Sequence, residues 1–166
     1  ETKAFALGLA GIYINTKGRT KNGIVSPGAE TNRLAEEIAQ KLNQLHDRER
    51  NRPVIKTAYV ARKIYKGPYA ENAPDVIAGY ASGYRAAWET AVGQVTDQVL
   101  HANHKAWSGD HCVDPSIVPG VLFCNHHIDA DRPRIVDLAP TILNNFGIPL
   151  PDYMDGKVMG IKKKKS

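Results

Sequence analysis

No run of apolar residues in the 166-residue chain approaches the ~20 needed to cross a bilayer as a helix, so no membrane-spanning role is expected. Cysteine is scarce. Cys112 and Cys124 are the only two, they form no Cys-x-x-Cys pair, and a thiolate zinc site is not expected. Buried free thiols are the default for them, with one disulfide left open. The chain has no internal repeat and no low-complexity stretch apart from its terminal lysines. It also lacks a strong charge of either sign. Net charge is +5, and Lys162 to Lys165 supply four of those charges, so the rest is close to neutral. Residues 162–166 read as a solvated, disordered basic tail. Without interleaved aromatics the tail makes a poor nucleic-acid site, and neither nucleic acid nor a membrane is expected as a partner. No cleavage-site pattern follows Glu1-Thr2-Lys3, so no signal peptide is expected. A first residue other than Met is expected to mark a processed chain or a piece of a longer one.

What is present is an ordinary globular composition, 42% hydrophobic and 23% charged, in a length that suits one domain with a real core. Ala4 to Asn15 reads as a strand entering that core, with β-branched and aromatic residues at its end. Turn signals follow at Lys17-Gly18-Arg19 and Lys21-Asn22-Gly23. Residues 30–46 carry the clearest helix, with Leu34, Ile38, Leu42 and Leu45 on one stripe and Ala35 and Ala39 beside it. Val54 to Val60 predicts a second strand, Ala61 to Tyr65 a helical turn, and Asp75 to Tyr80 a third strand in the centre of the sheet. Val121 to Cys124 predicts a fourth strand. Asp137 to Phe146 predicts a second helix, with Leu138, Ile142 and Leu143 as its apolar face, Asp137 as cap and Gly147 as stop. The alternation predicts an α/β fold with a mostly parallel or mixed sheet and flanking helices. Residues 93–120 form a long loop region, and an ordered loop of that length usually has a function.

The chain's histidines concentrate around that loop. His101 and His104 are spaced i, i+3, which on a helix would put both imidazoles on one face, but the segment has no helical apolar stripe and solvent-exposed side chains are the better reading. His126 and His127 follow a strand, where neighbours point to opposite faces, so a shared metal is not expected. His46 reads as a helix-end residue. His111 differs. It follows Gly109 and Asp110 and precedes Pro115 and Pro119, which stiffen the loop. The residues alone leave His111 balanced between a metal ligand and a buried, hydrogen-bonded structural histidine.

Five stretches run in order through most of the chain: AFALGLAGIYINTKGR at 4–19, IYKGPYAENAPDVIAGY at 64–80, GYRAAWET at 83–90, WSGDHCVDPSIVPGVLFCN at 107–125 and IVDLAPTILNNFGIPLPDYMDGKVM at 135–159. Together they resemble the type I phosphodiesterase/nucleotide pyrophosphatase branch of the alkaline phosphatase superfamily. The resemblance implies a partial alkaline-phosphatase-like sandwich, with residues 1–161 as the C-terminal segment of the catalytic domain. It implies two divalent metals, usually zinc, and a Thr or Ser nucleophile upstream of Glu1. His111 matches the last histidine ligand, and Asp110 would tune it from behind. The intact enzyme would transfer a phosphoryl group from a phosphate-ester or nucleotide substrate by two-metal catalysis. One ligand cannot hold a catalytic zinc, so the isolated segment is expected to be inactive. Self-association through an exposed sheet edge is also expected. Three rivals stand beside this reading: a non-catalytic binding or regulatory module that keeps the fold, a self-contained metal protein using His101, His104 and His111, and a nucleic-acid binder through the lysine tail.

Overall fold

The computed structural model describes residues 2–110 and 112–162, with Ala91 by its backbone alone. The chain is a mixed α/β structure in two compact units, Glu1–Pro119 and Gly120–Ser166. No helix among the described residues is long and apolar enough to cross a membrane.

The first unit is built on a four-stranded sheet. The apolar stretch expected as one strand is a hairpin, β1 (Ala4–Leu7) and β2 (Gly11–Ile14), in register from Ala4 opposite Ile14 to Leu7 opposite Gly11. Gly8, at φ +71°, makes the reversal, a conformation that costs other residues steric strain. Helix α1 (Ala29–Asn43) follows, then the two-residue strands β3 (His46–Asp47) and β4 (Arg52–Pro53). Next come β5 (Ile55–Val60), the single turn α2 (Ala61–Ile64), β6 (Val76–Tyr80) and the short helix α3 (Trp88–Ala91). The sheet order is β1-β2-β6-β5, so β6 is central, as its sequence predicts. Every ladder in the sheet is antiparallel, which corrects the mostly parallel or mixed expectation. The cause is the hairpin: it reverses the chain inside the first apolar stretch and removes the crossover that a parallel pair needs.

α1 packs against β5 and β6. Ala35 and Ala39 lie deepest, and Leu34, Ile38, Leu42 and Leu45 flank them against a core of Ile14, Val25, Val54, Ile55, Val60 and Val76. Small residues at the closest approach let the helix backbone sit near the sheet. Each large aliphatic side chain so buried contributes about 1.5–3 kcal/mol. Asn43, the last helical residue, ties the layers together by accepting the Ala58 N–H at 2.8 Å. Just before β6, Asp75 accepts the Ile14 N–H at 2.6 Å and pairs with the Arg19 guanidinium, which also donates to the Ile14 carbonyl.

The second unit contains β7 (His127–Asp129), α4 (Leu138–Asn145) and β8 (Gly160–Lys162), with β7 and β8 paired antiparallel. A 3-10 turn, Ile135–Asp137, leads into α4, and Gly147 at φ +69° ends it. Val121 to Cys124 is not a strand. It has the apolar and aromatic content of one, but among the described residues no strand pairs with it, and Val121 and Phe123 are exposed. On α4 the buried residues are Pro140 and Thr141, while Ile142, expected on the apolar face, is exposed. Lys162, expected to begin a frayed tail, pairs opposite His127 and forms an ion pair with Asp129 at 2.7 Å. The rest of that tail, 163–166, lies outside the described residues.

Candidate functional site

The loop expected to carry chemistry is tied to the end of the central strand. The Asp114 N–H donates to the Tyr80 carbonyl at 3.0 Å, and Val113 bridges Tyr80 in parallel fashion. Tyr80 is the last residue of β6, so Val113 and Asp114 meet the sheet at that strand's C-terminal end. An antiparallel sheet has no common C-terminal edge, so the strand-end rule for parallel sheets does not supply this placement. Specific contacts of the loop do.

The first fastening is Asp114, which is 0% exposed. Its Oδ2 accepts the Tyr59 hydroxyl from β5 at 2.8 Å. Its Oδ1 accepts both the Ser116 N–H at 2.9 Å and the Ser116 hydroxyl at 2.6 Å. The Ser116 contacts are the local turn chemistry of Asp-Pro-Ser. Burial alone would raise the carboxyl's pKa; the hydrogen bonds from Ser116 and Tyr59 outweigh it and hold the group below its ordinary value. The carboxylate lies directly over Gly79 of β6, where a Cβ would come within 2.6 Å of Asp114 Oδ2 and 2.8 Å of the Thr57 carbonyl oxygen. Glycine is required there for close approach, in an ordinary extended backbone.

The second fastening is Arg85. Its Nε lies 3.1 Å from Asp110 Oδ2 in an ion pair whose side chains are only 14% and 5% exposed. One of its terminal nitrogens donates to the Gly109 carbonyl at 2.8 Å, and its guanidinium carbon lies 4.8 Å from the Trp88 ring centroid. Asp110 Oδ1 accepts the Cys112 N–H at 2.9 Å. Removing one member of so buried a pair leaves an uncompensated charge, a loss typically of about 3–5 kcal/mol. The nearby Cys112 thiol is pushed up by burial first and by the Asp110 charge second, both of which disfavour the thiolate. Burial raises the Tyr80 hydroxyl too, again with a contribution from Asp110.

His111, between these two fastened residues, lies outside the described residues. Among those described, no group of three or more His, Cys, Asp or Glu side chains is placed to hold a metal ion. The described residues therefore do not fit a zinc centre by themselves. His101 and His104 are not helical, so their spacing does not put them on one face. Both instead border a cavity of about 560 Å³ beside Arg85 and Trp88. His126 is half-buried in a bend and His127 is exposed; the pair does not follow a strand at Val121 to Cys124, because His127 itself begins β7. Both cysteines are free, and Cys124 is exposed rather than buried.

Arg85, Asp114 and Tyr59 are the site residues that motif reading passes over. The available signal was Asp114-Pro115-Ser116, a turn in which aspartate captures the following N–H groups. Nothing local marks Tyr59, which reaches Asp114 from 55 residues away. No family model, curated protein or solved structure matches the chain.

Proposed function

We propose that this chain is the C-terminal part of a metal-dependent phosphoric ester hydrolase of the phosphodiesterase/nucleotide pyrophosphatase type. His111 would be a zinc ligand, and the nucleophile and remaining ligands would come from segments outside the 166 residues. In this reading the sheet is part of a larger alkaline-phosphatase-like sandwich, and the substrate is a phosphate ester or nucleotide. The observation that supports it is the double fastening around position 111: Arg85 holds Asp110, and Asp114 holds the turn at the end of β6. A loop that only connects two elements needs no buried ion pair and no buried carboxylate. A ligand-bearing loop needs both neighbours fixed, because a metal site tolerates little positional error. The chain's own residues then have defined parts. Arg85 neutralises Asp110 and keeps it beside position 111, and Asp114 sets the backbone that follows.

The test is hydrolysis of bis(p-nitrophenyl) phosphate with added zinc, by the longest natural protein that carries this chain and by the 166 residues alone. The longer protein is expected to show zinc-dependent turnover that falls at least about 100-fold on His111→Ala. The 166-residue chain is expected to show none. Turnover by the longer protein that survives His111→Ala contradicts the reading.

A second reading, a non-catalytic binding module, is favoured by the cavity beside Trp88, which needs no metal to receive a ligand. Association between copies belongs to either reading. Phe5 and Leu7 are exposed on β1, an edge of the sheet, and such edges recruit further strands. A monomer in light scattering at high concentration would contradict association.

A further inference from the structure

From the chemistry of its lining, we infer that the cavity beside Trp88 is a binding site for a small amphiphilic anion, with a flat apolar body and one phosphate or carboxylate head. The inference goes beyond the hydrolase reading and does not depend on His111. At about 560 Å³ the cavity falls within the usual range for small-molecule sites. Leu42, Leu45 and Leu100 supply an apolar floor, and the Trp88 indole, 45% exposed, offers part of its surface to a flat ligand.

Two cations attend that indole, and they are not equivalent. Arg85 is 4.8 Å from the ring centroid, but its charge is already answered by Asp110. Lys105 is 6.0 Å from the same centroid and has no carboxylate partner among the described residues. An ammonium held near an aromatic ring at the edge of an apolar cavity attracts an anionic head. Among the other charged side chains of the lining, Asp47 and Arg50 answer each other and Glu89 opposes an anion, which leaves Lys105 as the cation for the head group, with the His101 and His104 imidazoles on the same lining as further hydrogen-bond donors.

The experiment uses the 166-residue chain in EDTA, so that its outcome is separate from any metal chemistry. The two tryptophans give two indole N–H signals in a 1H–15N spectrum, and Trp107 serves as the internal control. Titration with 2-naphthyl phosphate or 2-naphthoate is expected to move the Trp88 signal saturably and the Trp107 signal less. Neutral 2-naphthol and inorganic phosphate are expected to bind at least about 10-fold more weakly, because each offers half of the recognised chemistry. A response to only one of the two anions identifies the head group and supports the site. Lys105→Ala, an exposed loop change that does not threaten folding, is expected to weaken 2-naphthyl phosphate at least about fivefold, and Glu89→Gln to tighten it. Equal affinity for 2-naphthol, equal affinity for inorganic phosphate, or no effect of Lys105→Ala would overturn the inference.

Discussion

Each of the two units of this chain is stabilised internally by different means. Residues 1–119 have an apolar interior: Ile14, Val25, Val54, Ile55, Val60 and Val76 close between α1 and the sheet. Residues 120–166 have little of one. Among the described residues Met159 and Pro140 are its buried apolar side chains, while Val121, Phe123, Ile135, Phe146 and Tyr153 are 73 to 91% exposed. Polar fastening takes the place of burial. The Asp137 carboxylate accepts the Lys157 N–H at 2.8 Å and the Arg134 N–H at 2.9 Å. Thr141 passes the same connection onward: its hydroxyl donates to the Asp137 carbonyl and accepts the Met159 N–H. The first unit is stabilised mainly by burial, which is broad and non-directional. The second depends on a few directed contacts that single substitutions or acid can remove.

The sharpest way to break that contrast is to truncate one isoleucine in each unit. Ile14→Ala empties a fully buried site and is expected to cost about 2–5 kcal/mol in urea unfolding. Ile142→Ala, at a residue 57% exposed, is expected to cost less than about 0.5 kcal/mol. Equal losses would remove the distinction.

The polar fastening within the first unit comes next. Asp114→Ala strips the Tyr59 hydroxyl and the Ser116 N–H of their acceptor inside a closed environment. The expected loss is about 2–4 kcal/mol, accompanied by faster amide exchange at Ser116. Gly79→Ala attacks the same place by volume. The new methyl would press on the Asp114 carboxylate and the Thr57 carbonyl, both fixed, at an expected cost of about 1–3 kcal/mol in the same measurement. A neutral outcome for both would mean that the loop is not seated on β6.

The smallest effect at neutral pH is the acid response. The Lys157 and Arg134 N–H groups hold the Asp137 carboxyl at about 2, and the Arg50 N–H and the Tyr84 hydroxyl hold Asp47 at about 2. Both lie below the ordinary value of 3.8. Their stabilisation is therefore complete above that value and is lost as pH falls through it toward about 2. Amide exchange followed from pH 5 to pH 2 should show the second unit opening before the first, since it has less burial to fall back on. Asp137→Asn should open it already at pH 5. Simultaneous opening of both units would contradict the comparison.

The same contrast explains what was legible in the sequence. α1, β5, β6 and α4 could be read because their signals are local: a leucine stripe, β-branched runs, and a glycine stop at 147. The hairpin at Gly8 was hidden because Ala4 to Ile14 is apolar on both sides of the reversal, so hydropathy shows no break. Val121 to Cys124 has strand composition, but a strand is completed only by a neighbour, which composition does not supply. Ile142 was misplaced because α4 buries Pro140 and Thr141, and Thr141 is recruited by its hydroxyl rather than by hydropathy. At the candidate site, Asp110 and His111 stand out by residue type. Arg85 and Tyr59 do not, because their roles come from pairings 25 and 55 residues away that only the fold creates.

A metal ligand at position 111 requires that the loop on either side of it be as firmly held as the strand it meets. Native-state amide exchange measures this directly. The account predicts that the N–H groups of Cys112, Asp114 and Ser116 exchange as slowly as that of Ala78 in β6. Exchange of those three at the rate of the unbonded N–H groups elsewhere in residues 93–108 would contradict it.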